Sequence, residues 1–490
     1  MFRSLLLTFF CFCSLWPKAQ SSFFKSYDFG TVEYVYQVLE YEDRIYLNTA
    51  TWCGQECSFL SELDLNGNIL WKTVIPDIDI AQGTMVIVDD TITITGNNDL
   101  DNESFLMAHF SLNGEKIGET IKIEHPAKKF TRMFQLTTQY FNNKYVICGT
   151  GKFAPNIYYS LIYVVNKEGV LDTLITLNQT SNTSEIWDSF IDSQGRLTTF
   201  HWIEEDEFDI NFRKIYKFNE NFDTVWSYRT EGIGSNFAVP RGCELHDGRI
   251  VIAFIGPEED PLLHSVRAIN PDGSLDWQHD YQWTGSRTRE ISRLKTLKNG
   301  DIIGCGRYSE LEQIPRVEDS PWLFKMSPEG ELLWEHVYYE FDLTLPHGGS
   351  SRLGDILDVA ELDNGDILAV GTIRYQNSDM LIMRVDSNGC LYNENCSNVN
   401  IATGYKEINL IKDQFSIYPN PTTDIINIEL DTKDYRLNFE IRDITGVVRL
   451  KGTIFEGQGQ IVVSSLQSGM YIINLMDKNG LLQVGKFVKI

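Results

Sequence analysis

Side chains able to form a catalytic or metal-binding group are thinly spread along this chain. The sequence has neither a Gly-x-Ser-x-Gly nucleophile turn nor a phosphate-binding Gly-Lys loop. No histidine lies at metal-ligand spacing from another histidine or from a cysteine, the eight being at positions 109, 125, 201, 246, 264, 279, 336 and 347. The sequence therefore predicts no metal site and no cofactor.

Carboxylates are the one abundant group with catalytic potential. Acidic runs occupy residues 204–207 and 258–260, so a general acid–base pair stays an alternative, although charge runs on loops are usually solvated. The segment from Asp64 to Asn68 resembles the start of a calcium-binding loop. Because the same turn recurs elsewhere without its acidic residues, we interpret it as a structural turn.

The overall charge restricts the partners that this chain can attract. Its formal net charge is −26, from 68 acidic and 42 basic side chains, and no Lys/Arg cluster interrupts it. A phosphate backbone or an anionic membrane surface would be repelled. The composition therefore argues against a nucleic-acid partner and favours a well-hydrated surface.

The first residues predict export. Arg3 precedes an apolar run from Leu5 to Trp16, which is too short to span a bilayer, and the small residue Ala19 follows. We expect residues 1–19 to be a cleaved signal peptide and expect no transmembrane segment elsewhere.

Seven cysteines remain after this segment, in an oxidising compartment if the chain is exported. Two pairs are close enough in sequence to close small disulfide loops, Cys53 with Cys57 and Cys390 with Cys396. The other three lie in apolar, strand-like runs and are expected to be buried small hydrophobic residues; they are Cys148, Cys243 and Cys305.

Two turns recur about every fifty residues, each seven times. The first kind of turn is Glu42-Asp43, Asp89-Asp90, Asn142-Asn143, Gln194-Gly195, Asp247-Gly248, Asn299-Gly300 and Asn364-Gly365. The second is Asn66-Gly67, Asn113-Gly114, Glu168-Gly169, a degenerate copy at 219–222, Asp272-Gly273, Glu329-Gly330 and Asn388-Gly389. Such dipeptides supply the positive φ of tight hairpins, so each repeat contains two hairpins and four strands.

Seven four-stranded repeats predict an all-β fold, a seven-bladed β-propeller, because one small sheet cannot bury both of its faces until neighbouring sheets stack on it. Both tight turns of every repeat then lie at one rim, and the longer connections lie at the opposite rim. Four tryptophans share one position in the fourth strand and are expected to pack between blades; they are Trp71, Trp226, Trp277 and Trp334.

The seventh repeat ends before its fourth strand, and the N-terminus offers a replacement. Residues 23–29 resemble a fourth strand and precede the first strand of the first repeat. We therefore predict that the N-terminal strand completes the last blade and that the propeller spans residues 22–396.

The repeat, in which an Asp-x-x-Gly-like turn precedes Leu-Trp, resembles those of quinoprotein-type propellers over residues 43–391. In those enzymes a quinone cofactor lies with calcium beside adjacent cysteines, and this chain has no adjacent cysteine pair. The resemblance therefore implies the fold without the cofactor.

A polar segment, residues 397–414, breaks the repeat pattern and is predicted to be a linker. Short alternating strands then follow over residues 415–490, which favours a small immunoglobulin-like β-sandwich. This region resembles the type A sorting domain of type IX secretion cargo in Bacteroidetes. The resemblance rests on Tyr418, Pro419, Asn420 and Pro421, a turn ending at Gly446, the Gly469 and Tyr471 motif, and the ending from Lys486 to Lys489.

The resemblance implies binding to the type IX secretion machinery, passage through the outer membrane, and removal of the domain upstream of Phe415. The exported protein would then be attached to surface lipopolysaccharide or released. The alternative is a fibronectin-like accessory module.

We expect a ligand to bind at the rim of the longer connections, because binding groups are usually carried by variable loops on a rigid scaffold. The residues predicted to contact it are Trp52, Trp283, Arg287, Tyr308 and Trp322. Two functions stay open: a non-enzymatic module that binds a glycan or a protein, and a secreted enzyme that acts on polysaccharide.

Overall fold

The computed structural model divides into two compact units, Met1–Tyr405 and Lys406–Ile490. It describes residues 22–29, 31–52, 56–76, 78–80, 84–98, 104–124, 132–154, 157–177, 183–205, 210–230, 239–255, 263–282, 288–310, 317–340, 353–374, 378–391, 399–402, 416–429, 436–443, 447–455, 459–477 and 480–490. The predicted signal peptide lies outside these ranges. Within them the chain forms strands and turns, and no helix there is long and apolar enough to cross a membrane.

The strands of the first unit fall into sets that follow the chain. They are β1 (Phe23–Tyr27); β2 (Glu33–Tyr41), β3 (Arg44–Trp52), β4 (Glu56–Leu63) and β5 (Ile69–Pro76) in set 1; β6 (Ile78–Asp79), β7 (Met85–Val88), β8 (Thr91–Asn98), β9 (Ser104–Ser111) and β10 (Lys116–Glu124) in set 2; β11 (Arg132–Phe141), β12 (Lys144–Ala154), β13 (Ile157–Val165) and β14 (Leu171–Leu177) in set 3. The next are β15 (Thr183–Ile191), β16 (Leu197–Glu205), β17 (Ile210–Phe218) and β18 (Thr224–Arg229) in set 4; β19 (Arg241–Glu244), β20 (Ile250–Ile255), β21 (Leu263–Ile269) and β22 (Leu275–Gln282) in set 5. The last are β23 (Thr288–Thr296), β24 (Ile302–Glu310), β25 (Val317–Met326) and β26 (Leu332–Glu340) in set 6; β27 (Leu353–Glu361), β28 (Ile367–Arg374) and β29 (Ser378–Val385) in set 7; and β30 (Val399–Ala402).

Each set is an antiparallel meander in which consecutive strands pair. Three of the turns between first and second strands contain no glycine, and both central residues still have positive φ, as at Glu42 and Asp43. In set 2 the first strand is interrupted into β6 and β7, which both pair with β8. A single parallel contact, between Tyr158 and Thr183, joins sets 3 and 4.

Strand β1 supplies the fourth strand of set 7. It pairs antiparallel with β29, from Phe23 opposite Arg384 to Tyr27 opposite Met380. The N-terminal strand thus lies where the sequence predicts it, and set 7 has the same four-stranded form as the other sets.

Apolar side chains fill the space between consecutive sets. Among the described residues, six buried clusters lie between successive sets from set 1 to set 7, as between Tyr46 of set 1 and Ile94 of set 2. A further cluster joins set 1 to set 7, including Val38 and Leu368. The packing order therefore returns from the last set to the first, in a propeller-like, all-β arrangement.

One contact recurs between the fourth strand of a set and the second tight turn of the next. An aromatic ring lies so close to the glycine of that turn that an added Cβ atom would collide with it; the pairs are Phe23 with Gly67, Trp71 with Gly114, Trp226 with Gly273, Trp277 with Gly330, and Trp334 with Gly389. The packing role predicted for the four tryptophans is confirmed, and Phe23 of β1 takes the same role for set 7.

Hydrogen bonds repeat at the same junctions. At three of these five junctions the residue four positions after the aromatic residue is a tyrosine that donates its hydroxyl to the glycine carbonyl of the next set; these are Tyr27, Tyr281 and Tyr338. The oxygen–oxygen distances are 2.6 Å from Tyr27 to Gly67 and 2.7 Å from Tyr338 to Gly389. Since Tyr27 lies on β1, the junction between sets 7 and 1 uses the same side-chain contacts as the junction between sets 6 and 7.

The segment predicted to be a linker, residues 397–414, is not entirely irregular. Strand β30 lies within it and pairs parallel with β26, from Val399 opposite Val337 to Ala402 opposite Glu340. The reason is the edge of set 6: β26 is the outermost strand of its meander, and its unpaired backbone groups accept another strand.

The second unit contains two sheets. Its strands are β31 (Ser416–Tyr418), β32 (Ile425–Glu429), β33 (Arg436–Asp443), β34 (Val448–Phe455), β35 (Gln460–Val462), β36 (Gly469–Asp477) and β37 (Gly480–Lys489). They pair in the orders β31-β32-β35 and β34-β33-β36-β37. Side chains from both sheets, such as Ile426 and Ile473, form one buried apolar cluster.

The three cysteines that the sequence predicts to be buried are buried in the structure. Cys148, Cys243 and Cys305 are free thiols with at most 6% of their surface exposed. Burial raises the pKa of Cys148 and Cys243 to about 12, which makes these thiols poor nucleophiles. Cys390 is disulfide-bonded. Cys53, Cys396 and the side chain of Cys57 lie outside the described residues, so both predicted pairings stay predictions.

The recurrent aromatic–glycine contact predicts how two glycines differ. Gly67 and Gly365 both have positive φ, +78° and +83°, so alanine strains the backbone at either position by about 1–2 kcal/mol. At Gly67 a Cβ atom would also lie 2.5 Å from the Phe23 ring, whereas nothing lies within 4 Å at Gly365. We expect Gly67→Ala to lower the free energy of unfolding by about 2 kcal/mol more than Gly365→Ala, measured by denaturant titration. Equal effects would contradict the contact between β1 and set 1.

Candidate functional site

A cavity of about 770 Å³ lies where the first strands of all seven sets come together, and we call it the axial cavity. Its lining runs along the halves of these strands that lead into the tight turns, from Gln37 to Tyr41 in set 1 and from Arg293 to Thr296 in set 6. The functional surface predicted from the sequence is the opposite rim, whose longest connections lie outside the described residues.

Charged side chains enter this apolar structure at one position of the repeat. In sets 4, 5, 6 and 7 the same position, six residues before the first residue of the first tight-turn dipeptide, is occupied by Asp188, Arg241, Arg293 and Asp358. All four are at least 92% buried. In sets 4, 6 and 7 the strand register shifts just before this residue, as a β-bulge does, and a bulge re-aims the side chain that follows it.

Three of these side chains, together with Lys295, form what we call the axial charge network. The Nη1 atom of Arg293 is 2.9 Å from Oδ1 of Asp188, and its Nε is 3.6 Å from Oδ1 of Asp358. The Nζ atom of Lys295 is 2.8 Å from the same Asp358 oxygen. Two carboxylates and two cations therefore neutralise one another across sets 4, 6 and 7.

Backbone groups complete the network. The amide of Val38 in set 1 donates to Oδ2 of Asp358 at 3.0 Å, and the amide of Ser189 donates to Oδ1 of Asp188 at 3.0 Å. Burial by itself would lower the pKa of Arg293, but the carboxylates of Asp188 and Asp358 outweigh it and raise that pKa. Arg293 of set 6 is therefore held as a cation between the carboxylates of sets 4 and 7.

The lining of the axial cavity is more apolar than polar, and its ionisable side chains are mildly acidic. Glu40 and Glu244 add two carboxylates to the balanced network, so the lining carries four acidic and two basic side chains. The rings of Tyr41, Tyr140 and Phe190 lie in the same lining. Aromatic faces beside hydroxyl and carboxylate groups suit a hydroxyl-rich, uncharged ligand better than an anion.

A second group of charged and aromatic side chains lies on set 4, near the strand ends that face the longer connections. Glu185 of β15 is opposite Trp202 of β16, which is opposite Arg213 of β17, and Glu204 follows two residues after Trp202. Since cross-strand neighbours share a face of the sheet, these four side chains lie together, and we call them the acid–aromatic cluster. Trp202 and Arg213 are buried.

The carboxyl group of Glu185 has an unusual environment. Burial raises its pKa, the nearby indole N–H of Trp187 opposes this, and the charge of Glu204 raises it further, to about 7. Burial also lowers the pKa of Arg213 to about 9. A carboxyl that is protonated near neutral pH beside a second carboxylate is the arrangement that general acid catalysis requires.

The nearby His201 has no such role. Both of its ring nitrogens contact hydroxyl oxygens, Nδ1 with Ser160 at 2.9 Å and Nε2 with Thr199 at 2.6 Å. Burial lowers its pKa to about 3, so the imidazole stays neutral in the core.

Of the five residues predicted to contact a ligand, the two whose side chains are described lie in one apolar cluster. Trp322 is fully buried and stacks on Phe324, with ring centroids 4.5 Å apart. Tyr308 is 8% exposed and belongs to the same apolar cluster. Both side chains therefore pack sets 5 and 6 together in this conformation. Trp283, Arg287 and the side chain of Trp52 lie outside the described residues.

The sorting motifs, which are far apart in sequence, meet in the second unit. The side-chain Nδ2 of Asn420 donates to the backbone carbonyl of Lys486 at 3.2 Å, and its Oδ1 accepts from the backbone amide of Val488 at 2.9 Å. Tyr471 stacks on Phe487 at 5.7 Å between ring centroids. The Tyr418–Pro421 motif is thus clamped to the strand that carries Lys486 and Lys489, while Gly446 lies outside the described residues.

Residues 416–490 match the family described as the secretion system C-terminal sorting domain. This match supports a type IX secretion sorting tail, which implies export of the chain and interaction with the type IX machinery. The comparison with curated proteins gave no match.

Several solved structures resemble the fold. The polysaccharide lyase Uly1 is 10% identical, with a TM-score of 0.46, over 72% of this chain and 90% of that one. The β-propeller domain of the Trilobed protease from Pyrococcus furiosus is 12% identical, with a TM-score of 0.42, over 74% and 100%. A puromycin-hydrolyzing peptidase from Mycobacterium tuberculosis is 10% identical, with a TM-score of 0.48, over 80% and 56%. These likenesses concern the fold alone.

The raised pKa of Glu185 predicts a pH-dependent stability. Between its ordinary value of 4.5 and its folded value of about 7, the folded state binds more protons than the unfolded state, so stability falls as pH rises through this window. We expect the ionisation of Glu185 to lower the free energy of unfolding by on the order of 3 kcal/mol across this window, at about 1.4 kcal/mol per pKa unit. Urea titrations at pH 4.5 and 7.5 should show a smaller fall for Glu185→Gln than for the parent protein. The exposed control Glu168→Gln should behave like the parent; an unchanged pH dependence in Glu185→Gln would contradict the assignment.

Proposed function

We propose that this protein is a seven-bladed β-propeller of a Bacteroidetes cell, exported by the type IX secretion system to act outside the outer membrane as a binding module for a glycan or a protein. The observation that carries the export is the family match over residues 416–490. Apolar clusters between each pair of consecutive sets, including sets 7 and 1, support the blade count. The signal peptide and the sorting domain are removed on the way, and the propeller is attached to the surface or released.

The axial cavity supports binding rather than catalysis. The carboxylates at its most buried part, Asp188 and Asp358, are each within 3.0 Å of a cationic nitrogen, so neither is available to transfer a proton. The lining around them is largely apolar and aromatic, with a few hydroxyl and carboxylate groups that can orient a ligand. An uncharged, hydroxyl-rich ligand such as a neutral glycan fits this lining best.

The second candidate function is a secreted enzyme that acts on polysaccharide, and the acid–aromatic cluster favours it. Protonated Glu185 would donate a proton to the leaving glycosidic oxygen, and Glu204 would act as the second carboxylate of the pair. The neighbouring Trp202 supplies an aromatic surface beside the pair, although it is largely buried in this conformation.

Export is tested by removing the sorting domain. Because the second unit carries the sorting motifs and forms its own core, deletion of residues 415–490 should leave a folded propeller in the periplasm. Cell fractionation and immunoblotting measure this, with the full-length chain as the control. Efficient appearance of the truncated chain in the medium or on the cell surface would contradict the proposal.

Ligand binding is tested on the purified secreted protein with an array of neutral and anionic glycans and a parallel screen for cleavage products. We expect binding to neutral glycans, weakened at least tenfold by Tyr41→Ala with Tyr140→Ala if the axial cavity holds the ligand. The matched pair Trp52→Ala with Trp283→Ala tests the opposite rim. Cleavage that is lost in Glu185→Gln would establish the enzyme instead, and the absence of both binding and cleavage would contradict glycan as the ligand class.

A further inference from the structure

Three carboxylates meet where the N-terminal strand joins the rest of the first unit. Asp28 follows β1, Glu33 begins β2 of set 1, and Asp379 lies on β29 of set 7. One oxygen from each lies within 4.8 Å of the other two. Three like charges from separate segments are thus gathered at one point, which costs electrostatic free energy unless a cation is present.

The middle carboxylate gives independent evidence of a missing ligand. Glu33 is fully buried, and its Oε1 accepts hydrogen bonds from the amide and hydroxyl of Thr31 at 3.2 and 2.5 Å. Its Oε2 atom is also buried but has no hydrogen-bond partner among the described residues. This buried carboxylate oxygen has no hydrogen-bond donor and lies close to two further carboxylates, so it is suited to coordinate a cation.

The chemistry of the three groups points to a particular cation. All three candidate ligand atoms are oxygens. Zinc sites in proteins mostly use nitrogen and sulfur ligands, whereas calcium and magnesium bind oxygen, so this set favours a hard cation. Calcium binds oxygen at about 2.3–2.6 Å, so two ligands of one ion lie up to about 5 Å apart, which accommodates the 4.8 Å limit. Magnesium, with bonds of about 2.0–2.1 Å, would need the three oxygens closer together.

We propose that Asp28, Glu33 and Asp379 bind one calcium ion that fastens the N-terminal strand to sets 1 and 7. Water and backbone carbonyl groups complete the coordination, as calcium usually takes six to eight oxygen ligands. The ion attracts all three carboxylates and so offsets their mutual repulsion. It lies at the junction between sets 7 and 1, to which Phe23 and Tyr27 also contribute contacts. Binding to the folded state alone makes the stability of the first unit depend on calcium concentration.

The site does not follow from the proposed ligand-binding role, and it would persist if that role were wrong. Its expected affinity is that of extracellular calcium modules, with dissociation constants of about 0.1–1 mM, because it has only three carboxylates and one of them is on an exposed residue. Calcium at such concentrations is available outside the cell, where the sorting tail sends the protein.

The test uses the purified mature chain, with calcium chloride as the probe. Isothermal titration calorimetry should show one calcium site, and the midpoint of thermal unfolding should rise with calcium and rise less with magnesium. Asp28→Asn and Asp379→Asn should each weaken calcium binding at least tenfold. Asp28 is exposed, so its variant tests the site even if Glu33→Gln fails to fold.

The matched control is Asp363→Asn, which changes an exposed aspartate that pairs with Lys298 and is remote from the three carboxylates. It should bind calcium as the parent does. The proposal is overturned if the parent chain binds no calcium, or if Asp28→Asn and Asp379→Asn bind it as tightly as the parent.

Discussion

The first unit depends on a contact between an aromatic ring of one strand set and a glycine of the next. A four-stranded sheet with two apolar faces cannot bury both faces by itself, so each set requires a neighbour on either side. The ring of a fourth strand lies against a turn glycine that has positive φ and no Cβ, and this fixes the distance and register between sets. Phe23 and Gly67 make that contact between set 7 and set 1. The last set of the first unit therefore packs on the first set by the same contact that joins other consecutive sets.

This contact explains why so much of the fold could be predicted from the sequence. Turn dipeptides and tryptophans repeat at a fixed period, because each repeat solves the same packing problem, and the N-terminal strand carries Phe23 and Tyr27 at the spacing of Trp334 and Tyr338. The position of β1 therefore follows from the repeat. Strand β30 does not, since its pairing depends on an exposed edge of β26 that no local pattern records.

The candidate sites were much less predictable. Trp322, which stands outside the repeat pattern, packs in the core of sets 5 and 6, and its contact with a ligand stays a prediction. The axial charge network was missed, although a comparison of equivalent first-strand positions would have found Asp188, Arg293 and Asp358. Glu185 and Glu33 were beyond such reasoning, because their properties arise from burial and from side chains of other segments.

The N-terminal strand is a full structural member of set 7, and amide hydrogen–deuterium exchange of the mature chain tests this pairing most directly. If β1 completes that set, the amides of residues 23–27 that face β29 exchange slowly, with protection comparable to that of β28 and β29. Exchange of residues 23–27 at the rate of an unstructured chain, while β28 and β29 stay protected, would contradict the account.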